Sequence, residues 1–403
     1  MRAVHQMFMG VIALLCLASI SGCSSNTALH SQVKPKIPNS LWQDSAFVNR
    51  PTIPSQAEIF TISPQMQDYL KSKLSGHSKG SHTKLERLVD LLRSEDELML
   101  SYDNRATLTV SEAYQQRLGN CLTLSLLTQA IADAWELDVR LQQPDFPELW
   151  EHRDDIYLVS QHVNVKIDIP SAYGIGEAAT DNAHTIDFSG NPSLRYLPQK
   201  SLSTERVVAM FYNNRAAQAI ANKDFDSAYW LSKAALTADP GFISGYATLG
   251  VIYARSGQLT QANQAYRTGL AHQADHPLLL ANLAILLERQ GDSEALAEIQ
   301  PRLQKVIETN PFHYHEQGEQ AFKAGEYRTA LRYYERGIKL SPYIHDLYFG
   351  LAKSYYALGH TQKAKKYLEV AMELGSSYAI QQKYRRKLQQ LDSYTQTTAA
   401  LNQ

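Results

Sequence analysis

Residues 246–253 read Tyr-Ala-Thr-Leu-Gly-Val-Ile-Tyr, and residues 348–355 read Tyr-Phe-Gly-Leu-Ala-Lys-Ser-Tyr. Both place a large residue at the first, fourth and eighth positions and a small one at the fifth, the spacing of one helix face. The small position recurs at Ala216, Gly250, Ala284, Gly318 and Ala352, each 34 residues from the next. A second small position follows at Ala228, Ala262, Ala330 and Ala364, with Leu296 the one large residue in that series. Between the two lie Gly257, Gly291, Gly325 and Gly359, with Lys223 as the exception, and Pro240, Pro277, Pro311 and Pro342 mark the ends of the units. Each period therefore predicts two helices joined by a tight turn. Small residues let the helices approach closely, glycine permits the turn, and stacked pairs bury one continuous core. Pro301 falls inside the second helix of the third pair, where it is expected to kink or break the helix.

This pattern resembles the tetratricopeptide repeat. Five repeats are expected over residues 204–374, with a capping helix and frayed tail over 375–403. The resemblance implies an all-α solenoid that binds an extended protein or peptide partner.

Upstream of residue 204 the reading changes. Leu85, Leu88, Leu91 and Leu92 repeat at helical spacing, and a second helix is expected from Asn120-Cys121 onward, with Leu124, Leu127, Ile131 and Ala134 on one face. Tyr157, Val159, Val163, Val165 and Ile167 alternate as in a strand, and 184–188 is a shorter strand candidate. Residues 57–203 are thus expected to form an α+β domain.

The 403-residue chain carries 39 Lys plus Arg against 40 Asp plus Glu. That balance argues against a nucleic-acid partner, which requires a basic surface, and against a purely electrostatic membrane anchor. The first 22 residues offer another route to a membrane. Met7 to Ala18 is an apolar run too short to span a bilayer. It ends in Ile20-Ser21-Gly22-Cys23, which resembles the lipobox of bacterial lipoproteins. The resemblance implies cleavage of residues 1–22, lipidation of Cys23, and anchoring at the outer membrane facing the periplasm. More than one acyl chain makes such anchoring stable. Residues 23–56, with Lys34-Pro35-Lys36-Ile37-Pro38, are expected to form an extended tether.

Of three cysteines, Cys16 would leave with the signal and Cys23 would carry lipid, so Cys121 would be the one thiol of the mature chain. A cysteine that opens a helix sits where unpaired backbone N–H groups favour negative charge. Asn120 is a favoured cap there. A nucleophilic thiol also needs a base, usually histidine, oriented by a carboxylate or amide.

Arg117-Leu118-Gly119-Asn120-Cys121-Leu122-Thr123, then Gln161-His162-Val163-Asn164-Val165, then Ile186-Asp187-Phe188, resemble the three motifs of the transglutaminase-like superfamily. The resemblance covers roughly residues 57–200 and implies a papain-like core. It makes Cys121 the nucleophile, His162 the base and Asp187 the group that fixes the imidazole tautomer. The Cys121 N–H is one candidate oxyanion donor, and Tyr102, Gln115 and Gln116 remain open as the second. No cofactor or metal is expected: His152 and His184 lie near Asp187 in sequence, but without zinc-type spacing. The implied function is a thiol-dependent amide hydrolase or acyl transferase whose repeats recruit a substrate. The alternative is a non-catalytic lipoprotein scaffold that uses its repeats for complex assembly.

Overall fold

A computed structural model describes residues 36–74, 81–94, 96–145, 149–153, 156–160, 162–168, 183–188, 197–375 and 378–401. The expected signal segment and Cys23 lie outside the described residues. The fold is mostly helical. Helices α1 (Gln56–Phe60), α2 (Pro64–Leu74) and α3 (Ser81–Arg93) lead to strand β1 (Ser101–Tyr102), helix α4 (Val110–Gln116), strand β2 (Leu118–Gly119) and helix α5 (Cys121–Ala134). Strands β3 (Asp138–Pro144), β4 (Leu149–Arg153), β5 (Ile156–Ser160), β6 (Asn164–Asp168), β7 (Ala183–Ile186) and β8 (Gln199–Ser201) follow.

Five helix pairs then run to the C-terminal region. They are α6 (Thr204–Ala221) with α7 (Phe225–Ala238), α8 (Ile243–Arg255) with α9 (Leu259–His272), and α10 (Pro277–Gln290) with α11 (Ser293–Glu308). The last two are α12 (Pro311–Lys323) with α13 (Tyr327–Leu340), and α14 (His345–Ala357) with α15 (Thr361–Glu373). A long helix α16 (Tyr378–Leu401) ends the described chain. The tail expected to fray from Tyr394 is therefore helical to Leu401, as an extension of the capping helix.

The repeat signature has the physical basis expected of it. A Cβ on Gly250 would run into the ring of Tyr266, and one on Gly318 into the ring of Tyr334, so the small residue is what allows the paired helices to close. Gly257, Gly291, Gly325 and Gly359 all adopt φ between +71° and +81°. Lys223, at the equivalent turn, adopts φ of +61°, a conformation that costs a side chain more than it costs glycine.

Pro301 departs from expectation. Helix α11 runs unbroken through it, yet Ile299 is the buried residue of that helix. One hydrophobic cluster extends from Leu41 to Ile299, and a separate one begins at Ala321. The stack does not bury one continuous core. The inward side of α11 (Ile299 with Ala295, Leu296, Leu303 and Val306) packs on the first cluster, and the fourth pair builds a cluster of its own.

In the preceding region β7, β6, β3 and β8 form an antiparallel sheet, β4 pairs with β5, and β1 pairs with β2 in parallel. The strand content is small and divided among three sheets, so the arrangement does not establish the papain-like core expected for residues 57–203. The strand expected over 157–167 is two strands: β5 pairs with β4, and β6 joins the four-stranded sheet. His162 lies in the break between them. Helix α5 packs against this sheet with eleven of its fourteen residues buried.

Residues 36–56 are not a free tether. They run back across the first two helix pairs, where Leu41 and Phe47 are buried. The Tyr253 hydroxyl donates to the Leu41 carbonyl at 2.5 Å, Lys233 pairs with Asp44 at 2.6 Å, and the Trp230 indole donates to the Phe47 carbonyl at 2.9 Å. A few large apolar and charged side chains at the right intervals dock a segment whose bulk composition resembles a linker. Among the described residues, no helix is long and apolar enough to cross a membrane.

Candidate functional site

The site is built around the start of α5. Asn120 caps it, its side-chain oxygen accepting from the Thr123 N–H at 2.9 Å. Gly119 is required immediately before the cap, since a Cβ there would come within 2.5 Å of Thr123 Cγ2. Cys121 is therefore the first residue of a helix whose entry is held from both sides, and the residue is 9% exposed.

Segment 106–108 braces that entry. The Asn120 N–H donates to the Ala106 carbonyl at 2.9 Å, the Leu108 N–H donates to the Thr123 hydroxyl at 2.9 Å, and Asn120 Nδ2 donates to Thr107 Oγ1 at 2.8 Å. Thr107 and Asn120 are both buried, so these bonds are made away from competing water.

The histidine and carboxylate come from the sheet. Ser125 on α5 donates to the Val163 carbonyl at 3.3 Å, which ties the helix to the chain just after His162. His162 Nε2 and Asp187 Oδ2 are 2.8 Å apart, both side chains largely screened from solvent. With Nε2 engaged by Asp187, the Nδ1 edge is left for the Cys121 thiol, to which the ring is also hydrogen-bonded. Burial opposes the imidazolium, but the hydrogen bonds with Asp187 and Cys121 outweigh it and raise the His162 pKa to about 9. Cys121, His162 and Asp187, far apart in the chain, are thus brought together.

Among the three open candidates for the second donor, the structure brings Tyr102 to Cys121. Strand β1 pairs Tyr102 with Gly119, and the Asp103 N–H donates to the Gly119 carbonyl at 3.1 Å. The phenol hydroxyl meets the Cys121 N–H. Desolvation and the proximity of Cys121 and Asp187 push its pKa up to about 12, so it keeps its proton at neutral pH. Gln115 and Gln116 lie in the last turn of α4, and both are exposed.

Two residues escaped the sequence reading. Asn164, fully buried, extends Nδ2 toward Asp187 Oδ2 at 3.4 Å and Gln199 Oε1 at 3.5 Å. The signal was present, since Asn164 follows His162 by two positions within the quoted motif. Thr107 left no such signal, because a single buried hydroxyl makes no pattern. Among the described residues, no group of three or more His, Cys, Asp or Glu is arranged to hold a metal. The side chain of His152 lies outside the described residues.

Comparison with known proteins bears on the repeats. A family model of the tetratricopeptide repeat matches residues 345–378. The chain is similar to the solved structure of MamA protein, at 21% identity over 43% of this chain and 94% of that one, with a TM-score of 0.24. It is similar to YrrB, described as a TPR protein with an unusual peptide-binding site, at 16% identity over 44% of this chain and 92% of that one (TM-score 0.24). A tetratricopeptide repeat protein from Parabacteroides merdae is 17% identical over 48% of this chain and 77% of its own, with a TM-score of 0.26. No curated protein matches the sequence.

Proposed function

We propose that this chain is a scaffold whose repeats bind a protein or peptide partner, and that residues 57–203 add a thiol site to it. The scaffold reading is the one that the comparisons favour over catalysis. It is supported by the family match at 345–378 and by the 34-residue period that repeats it five times. Stacked helix pairs present an extended surface for such a partner.

The thiol reading is favoured by one specific observation, the 2.8 Å contact of His162 with Asp187 beside Cys121. With His162 held as the imidazolium, Cys121 would face it as the thiolate, and Sγ would attack the carbonyl carbon of an amide or ester as the carbonyl electron pair moves onto oxygen. The resulting oxyanion would accept from the Cys121 N–H and the Tyr102 hydroxyl. His162 would then give the proton to the departing amine or alcohol, leaving a thioester that water or a second amine resolves. Asp187 would orient the ring and stabilise its imidazolium through the 2.8 Å contact at Nε2. The transglutaminase-like assignment and the lipid anchor on Cys23, at a periplasm-facing outer membrane, belong to the same proposal.

The deciding experiment is the pH dependence of iodoacetamide labelling at Cys121 in wild type and His162→Ala. Fast wild-type labelling below about pH 7, lost in the variant, supports the thiol reading. Slow labelling in both, following a thiol pKa of about 8.5, leaves the scaffold reading alone.

A further inference from the structure

The first repeat helix reaches into the brace around Cys121. Gln218, on α6, donates from Nε2 to Thr107 Oγ1 at 3.0 Å and also to the Arg105 carbonyl. Arg215, one turn earlier, donates from Nε to the Thr107 carbonyl at 3.1 Å and pairs with Glu112 at 2.8 Å. Glu112 in turn accepts from the Thr109 N–H at 2.7 Å, closing the capping box of α4.

Thr107 is thus gripped twice from the repeats and once from the cysteine helix. Its hydroxyl oxygen accepts simultaneously from Gln218 and from Asn120 Nδ2. Asn120 is the cap of α5, and its other side-chain atom holds the Thr123 N–H. The route from Gln218 to the N-terminus of the cysteine helix therefore has two relays, Thr107 and Asn120, both buried. The cap sets the direction of the first-turn N–H groups and hence the field at Cys121.

We propose that Gln218 and Arg215 are positioning residues for Cys121, acting through Thr107 and Asn120. This rests on the thiol reading above and deepens it: the repeats do more than recruit, because their first helix completes the support of the thiol. It follows that residues 57–203 do not carry a self-sufficient site, and that a partner displacing α6 would alter the reactivity of Cys121.

The test uses the full chain and two reagents. Acetylation of Cys121 by p-nitrophenyl acetate is followed by intact mass, and its alkylation by iodoacetamide is followed across pH. In Gln218→Leu, acetylation is expected to slow about tenfold, the factor equivalent to one buried hydrogen bond. The alkylation profile is expected to move to higher pH, with circular dichroism unchanged, and Arg215→Met is expected to act in the same direction. Tyr212→Phe is the control: it removes a different bond from α6, to the Pro54 carbonyl at 2.7 Å, and is expected to leave both reactions as in wild type. A merely structural role would lower the melting temperature of all three variants without moving the pH profile. If wild type labels fast and Gln218→Leu does so over the same pH range, the positioning role is overturned and the thiol reading stands. If wild type labels no faster than a free thiol, the thiol reading falls and takes this inference with it.

Discussion

The ring of Phe47 lies flat on the ring of Tyr229, with centroids 4.3 Å apart and planes inclined by 9°. Around this stack the N-terminal segment is fastened to the first two repeats. The Tyr229 hydroxyl donates to Asp44 at 2.5 Å and accepts from the Gln43 N–H at 2.9 Å. Burial and the Asp44 carboxylate hold the Tyr229 phenol far above its ordinary range, so it is a permanent donor. Arg50 covers Trp230 from 4.6 Å. The segment behaves as a ligand of the repeats supplied by the same chain.

Phe47→Ala should therefore cost stability on the scale of a core truncation, about 3 kcal/mol or more, although the residue precedes every long helix. Urea denaturation monitored by circular dichroism would show it as a lower midpoint. A midpoint within about 0.5 kcal/mol of wild type would mean that the segment contributes no packing energy.

The raised pKa of His162 makes stability depend on pH. Its value of about 9 in the folded chain exceeds the ordinary 6.5, so the folded state binds the proton more tightly than the unfolded state does. The stabilisation is complete below about pH 6.5 and is lost as pH rises through 9. Thermal melts between these values should fall with pH more steeply in wild type than in His162→Ala. Parallel curves would show that His162 has no such coupling.

Tyr102→Phe should separate the two steps at Cys121. If the phenol donates to the oxyanion, its loss should slow acetylation by p-nitrophenyl acetate about 100-fold. Alkylation by iodoacetamide forms no oxyanion and should stay near the wild-type rate. Faster acetylation in the variant would instead mark Tyr102 as an obstruction over the Cys121 N–H.

The parts of this molecule that were legible in the sequence share one property: they repeat or stay local. The 34-residue period is carried by small residues whose job is steric, as Gly250 against Tyr266 shows. The cap at Asn120 and the helix from Cys121 follow from adjacent residues. Alternation over 157–167 was legible too, but a period of two does not say which sheet a strand joins. It read as one strand what the fold divides at His162.

Pro301 illustrates the opposite limit. Proline removes one donor from α11, a local defect that the helix tolerates. What interrupts the core is that the apolar side of that helix packs on the preceding repeats while the fourth pair forms a separate cluster, a division visible only once the neighbours are in place.

By itself, then, the sequence determined the repeated helix pairs and the helix that begins at Cys121, while a resemblance of three short motifs pointed to the residues that meet there. Tertiary structure alone decided that residues 36–50 bind the repeats, that Tyr102 reaches Cys121, and that Gln218 braces the cysteine helix through Thr107. The reason is physical. Periodicity reports a side chain's orientation relative to its own backbone, whereas a single hydrogen bond across 111 positions, such as Gln218 to Thr107, depends on where two separate elements come to rest.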